Sequence, residues 1–410
     1  MQSHKNHNAR FTRRGFLVAT SALAGTSALS ACTKEQAQQE SVEPQVELAQ
    51  QTVAFDGAHQ AGIATPAQSH MTLVGFDLRA GVDAAAVRRL LRLWTQDARD
   101  LTQGRNPLGS LEPEMVRKPA NLTITCGFGP RFFDIIGKGS QRPDWLTPLP
   151  VFSNDRLDER WGQSDLVIQF CGDDPLTIAF AVRHLTRAGI DYATTRWFQQ
   201  GFLNAHGSHE KGETPRNLFG QKDGTINPRT SQEFDQQVWI DEDSDSPEWL
   251  RGGSCMIVRR IHMNLDLWEE LDRGSREVSL GRRLDSGAPL TGKEEFDEAD
   301  FSAKDDYGIP IIDVNSHMAL AAPHSDNKRD RLLRRAYNYN EAPIPGSAEL
   351  SNAGLIFCCF QKDPREQFIP IQQRLNDSDR LNIWITHIGS AIYAIAPGVS
   401  EDQHWGEALF

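Results

Sequence analysis

The order in which strand-like and helix-like runs follow one another constrains this chain most. An apolar, β-branched run at 71–78 leads into an amphipathic helical stretch at 84–101. Two more apolar runs follow at 122–128 and 166–171, then a second helical stretch at 175–188 and a strand-like run near 196–202. Such a β-α-β-β-α-β order buries one stripe of each helix against a single face of an antiparallel sheet, which is the ferredoxin-like unit of an α+β fold.

The plan then repeats. Strand-like runs at 255–261, 355–360 and 391–396 bracket helical runs at 265–271 and 364–375, with a long insertion at 274–352. Insertions of that length in compact domains usually serve function. Asp174-Pro175 and Asp363-Pro364 each follow an apolar run and precede a helical one, as an N-cap aspartate with proline at the first helical position would. A length of 410 residues suits two domains of ordinary size, here 67–216 and 217–410.

The residues before them are of another kind. Thr12-Arg13-Arg14-Gly15-Phe16-Leu17 precedes an apolar, small-residue stretch at 18–31, a twin-arginine export signature. Residues 1–31 are therefore read as a signal peptide and 32–66 as a polar linker, so the mature chain is expected to be periplasmic or otherwise extracytoplasmic. The apolar stretch is too short to span a bilayer as a helix. Leu29-Ser30-Ala31-Cys32 fits a lipobox, with Cys32 acylated as a membrane anchor, and fits plain cleavage near Ala31 equally well. Twin-arginine export carries folded proteins, so a chain using it has reason to hold a cofactor acquired before export.

Residues 32–410 contain 39 of the 43 basic residues and all 55 acidic ones, a net charge of −16, which argues against nucleic acid as a partner. Beyond Cys32 the cysteines are Cys126, Cys171, Cys255, Cys358 and Cys359. An odd set lying mostly in apolar runs, without CxxC spacing, indicates neither a disulfide framework nor a zinc or iron–sulfur site.

Three segments carry chemistry. Asn217-Leu218-Phe219-Gly220-Gln221-Lys222-Asp223-Gly224-Thr225-Ile226-Asn227-Pro228 lies between the two halves, and its glycines and proline dictate a tight, irregular backbone. Alone, Asp223-Gly224 reads as a turn. The second segment, 313–323, holds His317 in an apolar stretch, where an isolated histidine is usually structural. The third, Leu333-Arg334-Arg335-Ala336-Tyr337-Asn338-Tyr339, follows Lys328, Arg329 and Arg331, and in isolation reads as a solvated basic run.

Taken together and in this order, the segments resemble the GxxDG, proximal-histidine and distal-arginine motifs of the dye-decolourising peroxidases. Stretches 122–134, 165–185, 249–260 and 367–375 are similar in pattern as well, so the resemblance runs from about residue 51 to the C-terminus. It implies two ferredoxin-like domains related to the dimeric α+β barrels, with one haem b per chain held mainly by the C-terminal half. It further implies a peroxidase that uses hydrogen peroxide to oxidise dyes, phenols or other small donors.

Within that resemblance His317 is the iron ligand, since such an iron needs one neutral imidazole with its second nitrogen held by an acceptor. Asp379 is the candidate acceptor. Asp223, followed by Gly224, would shuttle the peroxide proton, and Arg334 would stabilise charge on the departing oxygen. On a helix or a strand Arg334 and Arg335 would point differently. Asn227 orients a distal water or the peroxide, or only stabilises the turn. Ala319 and His324 stand where relatives commonly have arginines, and Ile383 replaces a common glutamate. That leaves Arg229 or Arg335 as propionate contacts. Tyr337, Tyr339, Trp384 and Tyr393 are either surface outlets for electrons or plain core residues.

A rival reading is an exported haem-binding protein that releases iron from haem, with iron-uptake components as partners. It needs His317 and a pocket but not Asp223 with Arg334. A homo-oligomer is compatible with either.

Overall fold

A computed structural model describes residues 47–210, 212–323 and 330–410. The twin-arginine segment, Cys32, His324, Lys328 and Arg329 lie outside the described residues. The first half contains β1 (His70–Leu78), α1 (Ala84–Thr102), β2 (Thr123–Phe128), α2 (Pro130–Ile135), β3 (Leu166–Gly172), α3 (Pro175–Ala188) and β4 (Ala193–Phe202). The second contains α4 (Ser231–Gln237), β5 (Ser254–Met263), α5 (Leu265–Glu269), α6 (Arg273–Leu280), α7 (His317–Ala321), β6 (Leu333–Arg334), β7 (Tyr337–Glu341), β8 (Asn352–Gln361), α8 (Phe368–Ser378) and β9 (Ile385–Ile395).

Both halves pair their strands alike. The first runs β4-β1-β3-β2 and the second β9-β5-β8-β7, each antiparallel throughout. Even the bulges correspond, one between Gly75 and Phe76 on β1 opposite β4 and one between Arg260 and Ile261 on β5 opposite β9. The duplicated α+β plan expected from the element order is thus present in the backbone. The halves join where β2 meets β9, at Phe128 and Ala394, and where β4 meets β7, at Phe202 and Asn338, so the strand pairings return on themselves.

This closure explains why β2, β3, β5 and β8 read as largely apolar runs: both of their faces are buried, whereas β4 alternates buried and exposed residues. On β3, Leu166, Ile168 and Phe170 pack with α1 and α3, whereas Val167 and Cys171 turn into a second core inside the ring of strands. β5 divides in the same way, Cys255 and Ile257 outward, Met256 and Val258 inward. The five cysteines among the described residues are free and buried.

α1 buries Val87, Leu90, Leu91, Trp94, Ala98 and Leu101 along one stripe, and Asp83 caps it by accepting from Ala86 N. Asp174 caps α3, with Pro175 at its first position. The matching expectation for the second half fails, because α8 begins at Phe368 and not at Pro364. Asp363 instead accepts from Arg365 N in a turn. Pro370 supplies the reason: in a helix starting at 364 it would lack an interior donor and clash with the preceding turn, whereas in the first turn of α8 its missing N–H costs nothing.

Candidate active site

Below the second half's sheet lies an apolar cavity of about 1080 Å³, counting the space at its mouth. Ile261 of β5, Leu355 and Phe357 of β8 and Ile385 of β9 form one wall; Phe368, Ile371 and Leu375 of α8 form another. Its polar groups, which make up the smaller share of the cavity surface, include His317, Asp379, Asp223, Arg334, Arg259 and His387. An apolar pocket with a small number of placed polar groups is the usual form of a cofactor site.

His317 is the first residue of α7, which Ser316 caps from a fully buried position. Its Nδ1 lies 2.6 Å from Asp379 Oδ2. The other oxygen of Asp379 accepts from Leu381 N at 3.0 Å, so one carboxylate fixes the imidazole and caps the short helix Arg380–Ile383. Arg380 ties the two segments again, its backbone N donating to Asn315 O at 3.1 Å and its guanidinium pairing with Asp313. Burial disfavours the charged imidazole, but the charge and hydrogen bond of Asp379 outweigh it and raise the His317 pKa. With Nδ1 engaged, Nε2 is the nitrogen left to bind a metal.

Arg334 reaches the cavity from β6, paired with Cys359 of β8. Its guanidinium forms an ion pair with Asp223, while its Nε is buried without a hydrogen-bond partner. Burial lowers the Arg334 pKa and the neighbouring Cys359 works the other way. Asp223 is held by its backbone N, which donates to Pro215 O at 2.8 Å, and by Asn217 Nδ2 at 3.4 Å.

The remaining expected residues do not enter the cavity. Asn227 spends both amide atoms on the backbone of Arg334, donating to its O at 2.6 Å and accepting from its N at 2.9 Å. It therefore clamps the strand that carries Arg334, and its second amide N–H is not used in that clamp. Gly224, at φ +115°, makes room: a Cβ there would stand 3.1 Å from Asn227 Nδ2. Arg335 leaves β6 on the opposite side from Arg334, as strand alternation requires, and its guanidinium donates to Thr65 O and Gln68 Oε1. Arg229 is exposed, stacked 3.8 Å from the Phe296 ring centroid. Neither arginine is among the residues that line the cavity. Tyr337, Tyr339, Trp384 and Tyr393 are all buried, so the core reading holds and the surface-outlet reading does not.

Sequence reasoning missed Arg259 and His387. Both are buried on cavity-facing strand positions, with Arg259 paired to Asp155 and His387 Nδ1 3.9 Å from the same carboxylate. Burial, with Arg259 and His317 nearby, lowers the His387 pKa to about 3, which keeps this ring neutral. A charged residue inside an otherwise apolar strand was the available signal for Arg259; nothing local marks His387.

Comparison with known proteins decides what the cavity belongs to. The Dyp-type peroxidase N-terminal and C-terminal family models match residues 60–203 and 214–400. The chain belongs to the DyP-type peroxidase family. It is 36% identical to a dye-decolorizing peroxidase of Thermobifida fusca over 90% of this chain and 87% of that one. It is 35% identical to a deferrochelatase of Escherichia coli over 95% and 94%. The crystal structure of a DyP-type peroxidase from Cellulomonas bogoriensis superposes with a TM-score of 0.85 at 46% identity, covering 89% of this chain and 99% of that one. The oxyferrous complex of DtpA from Streptomyces lividans gives 0.84 at 37%, covering 90% and 100%. The protein is accordingly a haem-dependent peroxidase of this family, and haem is its cofactor. The cavity fits that group on its own terms, offering an apolar slot, one imidazole with its outer nitrogen already engaged, and an unpartnered buried donor on Arg334.

Proposed function

We propose that this peroxidase takes hydrogen peroxide as oxidant and a dye, phenol or other small donor as reductant, with His317, Asp223 and Arg334 in separate roles. His317 holds the iron through Nε2. Asp223 accepts the proton from the inner oxygen of peroxide and returns it to the outer oxygen, so that water departs. Arg334 stays cationic and stabilises the charge that gathers on the departing oxygen. Bound haem would supply the iron and the two-electron redox capacity by which the oxidising equivalents of peroxide reach the donor, a transfer the protein groups only direct. Asn227 and Asp379 act by positioning, one on the Arg334 backbone and one on the imidazole.

The observation that carries this reading is the Asp223–Arg334 pair lining the same apolar cavity as the His317–Asp379 pair. A haem-storage or iron-releasing protein needs only the second pair. Release of iron from haem, the reading suggested by relatives named deferrochelatase, stands behind the peroxidase reading for that reason. Export by the twin-arginine route to the periplasm, acylation at Cys32, contact with iron-uptake components and a domain division at 216/217 complete the proposal and rest on the sequence.

The test is to load wild type, His317→Ala and Arg334→Leu with hemin and compare their Soret spectra and peroxide reactions. Loss of the haem spectrum in His317→Ala, with retained haem but slow peroxide consumption in Arg334→Leu, supports both roles. Equal haem binding without His317, or bleaching as the sole response to peroxide, sinks the assignment.

A further inference from the structure

Glu295 lies in the insertion between α6 and α7, outside the cavity lining and outside the motifs, yet its side chain is only 8% exposed. Its Oε2 accepts from Lys222 Nζ at 2.7 Å and its Oε1 from Thr225 Oγ1 at 3.0 Å. These partners stand immediately on either side of Asp223-Gly224. The clasp is built into the fold: Arg282 Nη1 donates to Glu295 O at 3.0 Å, and Gly287, at φ +76°, packs so closely that a Cβ would meet Lys222 Cδ at 2.8 Å. Burial opposes the Glu295 charge, but Lys222, Thr214 and Thr225 outweigh it and lower its pKa.

The loop needs such a hold. Gly220 and Gly224 both have positive φ, and glycine backbones of this kind are the ones that move most freely. The direct tethers on Asp223 are one backbone bond, a long contact to Asn217 and the pair with Arg334. We propose that Glu295 is a positioning residue for the peroxide reaction, clasping Lys222 and Thr225 so that Asp223 is presented in one place. The proposal rests on the reading of Asp223 as the proton acceptor.

The experiment uses the haem-loaded full chain as wild type, Glu295→Gln, Thr225→Val, Asp223→Asn and the Asp223→Asn/Glu295→Gln double variant. Steady-state kcat/KM is measured separately for peroxide and for an anthraquinone dye, and amide exchange over residues 217–228 is followed in the apoprotein. Displacing a positioned group costs on the order of tenfold or more in rate. Glu295→Gln should therefore lose about tenfold in kcat/KM for peroxide and nothing for the dye, and Thr225→Val should lose less. Exchange over 217–228 should quicken, and the rate loss should vanish in the Asp223→Asn background. An equal loss on both substrates, or the same loss with Asp223 already replaced, overturns the positioning role. Wild-type peroxide rates in Asp223→Asn overturn the reading of Asp223 itself, whereas unchanged exchange in Glu295→Gln overturns the clasp however Asp223 behaves.

Discussion

Replacing Asp379 by asparagine should invert the tautomer of His317. In the native arrangement Oδ1 accepts from Leu381 N and Oδ2 accepts from His317 Nδ1–H, which leaves Nε2 bare for iron. In Asp379→Asn the amide oxygen can keep the cap, but its NH₂ then faces Nδ1. That nitrogen must become the acceptor, and the ring proton moves to Nε2, the atom that should bind metal. Keeping the native tautomer would press one N–H against another at a site where the Asp379 side chain is 1% exposed. Loss of such an outer partner typically costs 10- to 100-fold in metal affinity, about 1.4–2.7 kcal/mol. Titration of the apoprotein with hemin, and the rate of hemin transfer to an excess of a competing apo-globin, read this directly. Thermal unfolding of the apoprotein should change little, because the cap survives. Wild-type hemin affinity in Asp379→Asn would refute the tautomer argument.

Three further outcomes follow. Asn227→Leu removes two hydrogen bonds from the Arg334 backbone and should cost about 1–3 kcal/mol in stability, with haem spectra kept and slower peroxide consumption, as stopped-flow mixing would show. Arg335→Met should destabilise the fold by roughly 2–5 kcal/mol by stranding the carbonyls it serves, yet leave the Soret band in place; a lost or shifted band would mean that Arg335 does touch haem. Arg380 and the Asn315 backbone lower the Asp313 pKa against burial, so this pair stabilises the fold above about pH 4 and the contribution fades as pH falls through the lowered value. Denaturation of Asp313→Asn and wild type should accordingly differ at neutral pH and converge in strong acid.

How much of this was legible in the chain depends on how local the determinant is. The Asp174 cap follows from a side-chain acceptor placed before Pro175, and the Val87–Leu101 stripe and the different directions of Arg334 and Arg335 from the side-chain periodicities of helix and strand; the structure reproduces them. The start of α8 is also written in the sequence, in Pro370, which outweighs the more conspicuous Asp363-Pro364. His317, Asp223 and Arg334 could be singled out only through motif order, because a lone histidine, an Asp-Gly turn and a basic run each have commoner explanations.

The sequence by itself determined the order of elements, the duplication and the residue types at the site, since each is set by neighbours a few positions away. Only the tertiary structure decided which of them meet. The Asp223–Arg334 pair spans 111 residues, and His317 lies 62 residues from Asp379. Glu295 reaches the Asp223 loop from 70 residues beyond Thr225. Those meetings depend on the strand pairings of the second half and on where the insertion folds back. No local pattern encodes that return path, because it is set by burial among residues far apart in the chain.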